Sequence, residues 1–150
     1  MKKVWDSVTQ DKINSLHPSL RKRATDFINA LDKDFGIKAR IYEGFRHPER
    51  QAELYAQGRT TPGAIVTFAK PGESLHEYGL AFDLVEIKDN KALWINDNWA
   101  KIGELGKSYG FRWGGDFISI KDNPHFEDSQ GFTTTQLASM EKIGNYPKLT

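Results

Sequence analysis

The stretch Ser74-Leu75-His76-Glu77-Tyr78-Gly79-Leu80-Ala81-Phe82-Asp83 decides how the rest of the chain is read. Leu80 to Ile87 predicts a strand, with Leu80, Phe82 and Leu84 on one face and Ala81, Asp83 and Val85 on the other. Asp83 is the anomaly in it. A carboxylate among Leu, Ala, Phe and Val carries a desolvation penalty unless it is paired or binds a cation. The plainer reading is a half-buried strand end whose carboxylate reaches water or an arginine. His76 lies seven residues earlier, and Gly79 permits the tight turn that brings both side chains to one point. Ser74 braces that loop, serves as an ordinary turn residue, or hydrogen-bonds a ligand.

Asp122-Asn123-Pro124-His125-Phe126-Glu127 is the distant complement. A strand through His125 puts His125 and Glu127 on one face, and Asp122 precedes them across an Asn-Pro bend. Three protein ligands with one open position make a catalytic zinc site, which His76, Asp83 and His125 can supply. A nearby carboxylate that is not a ligand then acts as general base on a metal-activated water. Asp122 is the candidate; Glu127 competes for that role and could equally orient a ligand from behind. His17 and His47 each precede a proline at an expected helix start and read as non-ligands. On residues alone the chain reads as a zinc hydrolase.

Composition narrows the alternatives. At 150 residues the chain fits one catalytic domain, 1–150, able to bury a core unaided. Cysteine is absent, so there is neither a disulfide framework nor a thiolate metal site, and any metal must be held by His and carboxylates. A net charge of +1 argues against the dense basic patch of a nucleic-acid binder. Met-Lys-Lys-Val-Trp-Asp lacks the apolar run of a signal peptide, and no stretch approaches a membrane span. The expectation is a chain made in the cytoplasm without an export signal, not inserted in a membrane, and monomeric.

Working along the chain, Ser7 to about Leu16 predicts a short helix. Leu20, Ala24, Phe27, Ile28, Leu31 and Phe35 predict a longer one, opened by Pro18 and stopped by Gly36. Ile37, Ala39 and Ile41 alternate as a strand that runs into Glu43-Gly44-Phe45-Arg46, and Pro48 opens a helix ending at Gly58. Arg59 to Gly72 reads as a long loop around a short Ile65–Phe68 strand, and loops of that length are commonly functional. Asp89-Asn90 is a turn, and Asn96 or Asn98 caps a helix carrying Trp99, Ile102 and Leu105. Phe111 to Asp116 is a glycine-rich aromatic loop, and Thr133 or Thr134 caps a last helix with Leu137, Met140 and Ile143. The fold class is α+β, with a small, mostly antiparallel sheet flanked by helices. Arg46 offers a guanidinium to a carbonyl or developing oxyanion, or else forms a surface pair with Glu43 or Glu49. Tyr78, Trp113 and Phe117 line a cleft or belong to the core.

Ser74-x-His76-x-x-Gly79-x-Ala81-x-Asp83 with Asp122-x-x-His125 resembles the zinc D-Ala-D-Ala carboxypeptidase and dipeptidase family, nearest to its phage endolysin branch. The likeness takes in Gly44-Phe45-Arg46, Gln51-x-x-Leu54-Tyr55-x-Gln57-Gly58-Arg59-Thr60, Gly63-x-Ile65-Val66-Thr67 and Phe111-x-Trp113-Gly114-Gly115-Asp116. It thus spans about residues 40–130. The resemblance implies the family's zinc-peptidase fold (shared with hedgehog proteins), zinc on His76, Asp83 and His125, and Asp122 as catalytic carboxylate. It implies Arg46 in substrate binding and transition-state stabilisation, and Ser74 on the substrate side. The implied reaction is cleavage of the L-alanyl-D-glutamate bond of the peptidoglycan stem peptide, by a lysin released through a membrane pore made by another protein. No separate wall-binding domain is expected. The same zinc machinery would serve a D,D-carboxypeptidase or a D-Ala-D-Ala dipeptidase. A non-catalytic peptidoglycan-binding module would have lost the base, yet Asp122 is present.

Overall fold

Helix α2 (Pro18–Phe35) carries one side of the core. Leu20, Ala24, Phe27, Ile28 and Leu31 recur at helical spacing and are all fully buried. Pro18 sits at the helix start, and Gly36 ends it in the left-handed region at φ 65°. The computed structural model describes residues 3–149; Met1, Lys2 and Thr150 lie outside the described residues. Helix α1 (Ser7–Asn14) precedes α2 and is capped by Asp6, whose carboxylate also receives Arg40 at 2.8 Å.

Strand β1 (Ala39–Glu43) follows, then helix α3 (Pro48–Ala56) and the central strand β2 (Ala81–Lys88). Asp89 and Asn90, at φ 52° and 62°, make the two-residue turn into β3 (Lys91–Ala92). Helix α4 (Trp99–Ser108), β4 (Arg112–Trp113) and β5 (His125–Glu127) complete the domain centre. Among the described residues the main sheet runs β1-β2-β5-β4, with β3 on the end of β2, and every named pair is antiparallel. This is the expected α+β architecture.

Strand β2 has a neighbour on either side, so Ala81 to Glu86 is buried without a break. Phe82 faces α2, with its ring centroid 6.4 Å from that of Phe27, and Phe126 of β5 and Phe111 join the same aromatic cluster. Burial of each such ring stabilises the fold by about 1.5–3 kcal/mol. Asp83, next along, is turned to the opposite face. Glu86, also buried, accepts the amides of Asn96 (2.8 Å) and Asn98 (2.9 Å), which pins the approach to α4. Asn98 occupies the N-cap position but makes no side-chain cap bond.

Three expectations differ from the structure. Ile65–Phe68 is not a strand: Ile65, Val66 and Phe68 are exposed, and among the described residues no strand pairs with them. Side chains take the carbonyls of that loop instead, with Gln57 on Ala64, Arg59 on Thr67 and Gln51 on Ala69. The aromatic loop Phe111–Asp116 contains β4 and a 3-10 turn over Gly114–Asp116. Helix α5 (Thr134–Ser139) is capped by Thr133 as expected but stops before Met140. Gly144-Asn145 instead folds β6 (Lys142–Ile143) onto β7 (Tyr146–Pro147), leaving Ile143 exposed.

Candidate active site

Sheet register builds the site. Glu43 of β1 pairs with Asp83 of β2, and Asp83 pairs with His125 of β5, so the three lie in one row across the sheet. Residues directly opposite on antiparallel strands present neighbouring side chains on one face. The next row on that face is Ala81, Glu127 and Arg112. His76 enters from a 3-10 turn (Leu75–Tyr78) that ends at Gly79, φ 71°. A Cβ there would lie 2.6 Å from the backbone nitrogen of His17, so both the turn and its packing require glycine.

His76, Asp83 and His125 each turn a donor atom to one point, the three lying within 4.8 Å of one another. Nδ1 of His76 lies 2.9 Å from the Gly44 carbonyl oxygen. A carbonyl only accepts, so Nδ1 donates, and Nε2, 3.3 Å from Asp83, is the nitrogen turned inward. His125 is arranged the other way round: Nε2 lies 2.7 Å from Glu127 and Nδ1 lies 3.2 Å from Asp83. Each imidazole thus has an outer partner, the Gly44 carbonyl or Glu127, to take its outer N–H when the inner nitrogen binds a cation, as in metal-binding histidines. Two imidazoles and a carboxylate, all buried, fit a divalent metal of intermediate softness.

Charge in the cluster follows. Burial works against the Asp83 carboxylate, but His76 and His125 outweigh it and hold the acid well below the usual range. Burial likewise opposes the His125 imidazolium, yet hydrogen bonds to Asp83 and Glu127 raise it to about 10. Without a metal, the proton on His125 therefore stands in for the cation. Asp122 lies at the rim, its side chain half exposed and 3.9 Å from Nδ1 of His125. Partial desolvation, and then the Asp83 charge, raise its carboxyl above the usual range.

Arg46 is 10 % exposed and held on two sides, donating from Nε to Glu43 (2.7 Å) and from Nη1 to Gln51 (2.9 Å), with Nη2 3.9 Å from Asp83. The expected pair with Glu43 forms, but inside the cleft rather than on the surface. Ser74 lines the cleft and caps the 3-10 turn, accepting from the His76 amide at 3.3 Å. Phe117 lines the cleft, which holds about 570 Å³. Tyr78 and Trp113 do not: both are buried, with the Tyr78 hydroxyl on the Gly72 carbonyl and the Trp113 indole on the Asn123 carbonyl. His17 caps α2 and contacts the Pro147 carbonyl, and His47 stands at the start of α3, so neither joins the cluster.

Two supporting residues receive no role from the sequence alone, although Gln51 stands in the family motif and Ser74-x-x-Glu77 has the spacing of a capping box. Gln51, fully buried, joins Arg46 to the 59–72 loop through the Ala69 carbonyl at 2.7 Å. Glu77, also buried, accepts the Gly72 and Ser74 amides and closes the loop that carries His76.

A buried His-Asp-His cluster under an open cleft, with a rim carboxylate and an anchored arginine, is the arrangement of a metal-dependent hydrolase. A family model described as D-alanyl-D-alanine carboxypeptidase matches residues 68–128, which contain all three ligand candidates. The chain is 44% identical over 124 residues to the peptidoglycan L-alanyl-D-glutamate endopeptidase CwlK of Bacillus subtilis, covering 76% of this chain and 74% of that protein. It is 29% identical over 140 residues to an L-alanyl-D-glutamate peptidase of a Listeria phage, of which it spans 46%. The crystal structure of the L-Ala D-Glu endopeptidase ChiX of Serratia marcescens superposes with a TM-score of 0.61 at 24% identity, covering 83% of this chain and 89% of that one, a likeness of fold. The chain belongs to the D-alanyl-D-alanine carboxypeptidase family of metallopeptidases.

Proposed function

We propose that this chain is a zinc-dependent peptidoglycan hydrolase that cleaves the L-alanyl-D-glutamate bond of the stem peptide. The observation that carries the reading is the convergence of Nε2 of His76, the Asp83 carboxylate and Nδ1 of His125 on one point. The activity named for the Bacillus and phage relatives supports the choice of bond. His76, Asp83 and His125 would hold zinc, whose chemistry when bound is to polarise a carbonyl and acidify a water.

The remaining groups of the cleft are placed for the other parts of an amide hydrolysis. Asp122 accepts a proton from the attacking water as the carbon–oxygen bond forms. It delivers that proton to the leaving nitrogen as the carbon–nitrogen bond breaks. Arg46, anchored by Glu43 and Gln51, keeps Nη2 for the negative charge that develops on the carbonyl oxygen. Glu127 holds the His125 ring, which favours Asp122 over Glu127 as the base.

The phage source of one relative supports a role in lysis, and the names of the phage and Bacillus relatives give the same bond. The D,D-carboxypeptidase activity that names the family model is the competing assignment. A defined muropeptide separates the two. The zinc-loaded protein is expected to cut between L-alanine and D-glutamate, and Asp122→Ala is expected to bind zinc one to one without turnover. Release of D-alanine instead would move the assignment to the carboxypeptidase.

A further inference from the structure

Two cationic side chains other than histidine line the cleft among the described residues, Arg46 and Arg112, and they are not equivalent. Arg46 is committed to Glu43 and Gln51. Arg112 is nearly free: its side chain is 71% exposed, and its nearest carboxylate oxygen, on Glu127, is 3.7 Å away, too long for a hydrogen bond. The guanidinium lies over the Phe117 ring, 4.8 Å from the centroid, a contact that restricts its swing while leaving its edge N–H groups for another partner.

Its position is set by the sheet. Arg112 stands opposite Glu127, two residues along from the row that holds Asp83 and His125 and on the same face of the sheet. A second hollow of about 520 Å³ shares Arg112, Phe117 and Glu127 with the main cleft, so bound substrate can run from the metal ligands past Arg112. Five acidic side chains, Glu43, Glu73, Asp83, Asp122 and Glu127, also line the cleft. An anionic substrate group meets repulsion there unless a cation receives it.

We infer that Arg112 is a specificity residue that receives the free α-carboxylate of the D-glutamyl residue on the leaving side of the scissile bond. The inference rests on the bond proposed above. In a γ-linked D-glutamyl stem that carboxylate is borne by the same carbon as the scissile nitrogen. It must therefore lie within a few bonds of the reacting centre, where Arg112 is the uncommitted cation. A planar guanidinium takes a carboxylate through two parallel hydrogen bonds, whereas the carboxamide of D-isoglutamine offers one acceptor and no charge.

The test compares zinc-loaded wild type, Arg112→Gln and Arg112→Lys on two muropeptides that differ only in D-glutamate or D-isoglutamine. Wild type should favour the acid by about tenfold in kcat/KM, carried mostly by KM. Arg112→Gln should bring the ratio near one, and Arg112→Lys should restore part of it. A wild-type ratio of one or below, or a ratio kept in Arg112→Gln, overturns the inference while the endopeptidase reading stands. Loss of zinc from Arg112→Gln would make the residue a support for His125 through Glu127, and would also overturn it. Failure of wild type to cut either peptide at the alanyl–glutamyl bond would remove the bond assignment and this inference together.

Discussion

Replacing Glu127 by alanine separates the two roles open to that carboxylate. Its oxygen lies 2.7 Å from Nε2 of His125, and the two side chains are only 15% and 11% exposed, so water does not readily take its place. A charge-assisted bond of that length fixes the imidazole with its proton outward and its lone pair inward. Losing such an outer partner weakens metal affinity by about tenfold to a hundredfold, roughly 1.4–2.7 kcal/mol. Zinc affinity measured by chelator competition should fall by that amount in Glu127→Ala. It should fall less in Glu127→Gln, whose amide oxygen still accepts. With zinc saturating, kcat should change by only a few-fold. Asp122→Ala should do the reverse, keeping zinc and losing about a hundredfold to ten-thousandfold in kcat, the contribution of a general base. An unchanged zinc affinity in Glu127→Ala together with a collapse in kcat would refute the assignment and make Glu127 the base.

Other consequences can be measured directly. His125 is raised to about 10 in the metal-free protein against about 6.5 when unfolded. The stability gained from its protonated form is complete below about pH 6.5 and lost as pH climbs to about 10. Zinc must displace that proton, so binding tightens over the same window, and the rise in Tm on adding zinc should grow from pH 6 to pH 9; a gap independent of pH would contradict this. Gly114→Ala should lower activity with zinc retained, because a Cβ there would overlap the Asp122 carbonyl oxygen and press on His125. Wild-type rates in that variant would mean the loop yields without moving Asp122. His76→Ala should release zinc, as read by metal analysis after gel filtration, and full stoichiometry would remove His76 from the ligand set.

Helix α2 was legible because propensity, apolar spacing, Pro18 and Gly36 all point the same way. The His76–Asp83–His125 grouping was legible for the opposite reason: Asp83 contradicts its apolar surroundings, and such conflicts concentrate at functional sites. Register was not legible. That Glu43, Asp83 and His125 share a row depends on pairing strands about forty residues apart, which no local pattern encodes. The partners of Arg46 divide along the same line, Glu43 being three residues away and readable, Gln51 reaching it only through the packing of α3. In the 59–72 loop, β-branched residues suggested a strand, but strand preference requires a neighbouring strand, and side chains bind that backbone instead. At the C-terminal end, Leu137, Met140 and Ile143 keep helical spacing, and Gly144-Asn145 overrides it with a hairpin. Trp113 shows how an aromatic motif beside a site can serve packing: its ring fills the space above Gly103 and Gly115.

The most direct test is mass analysis of purified peptidoglycan digested by the protein, with and without a chelator. New L-alanine C-termini and D-glutamate N-termini, lost on chelation and restored by zinc, are the predicted result. Intact stem peptides after digestion by the fully zinc-loaded protein, or release of D-alanine alone, would contradict it.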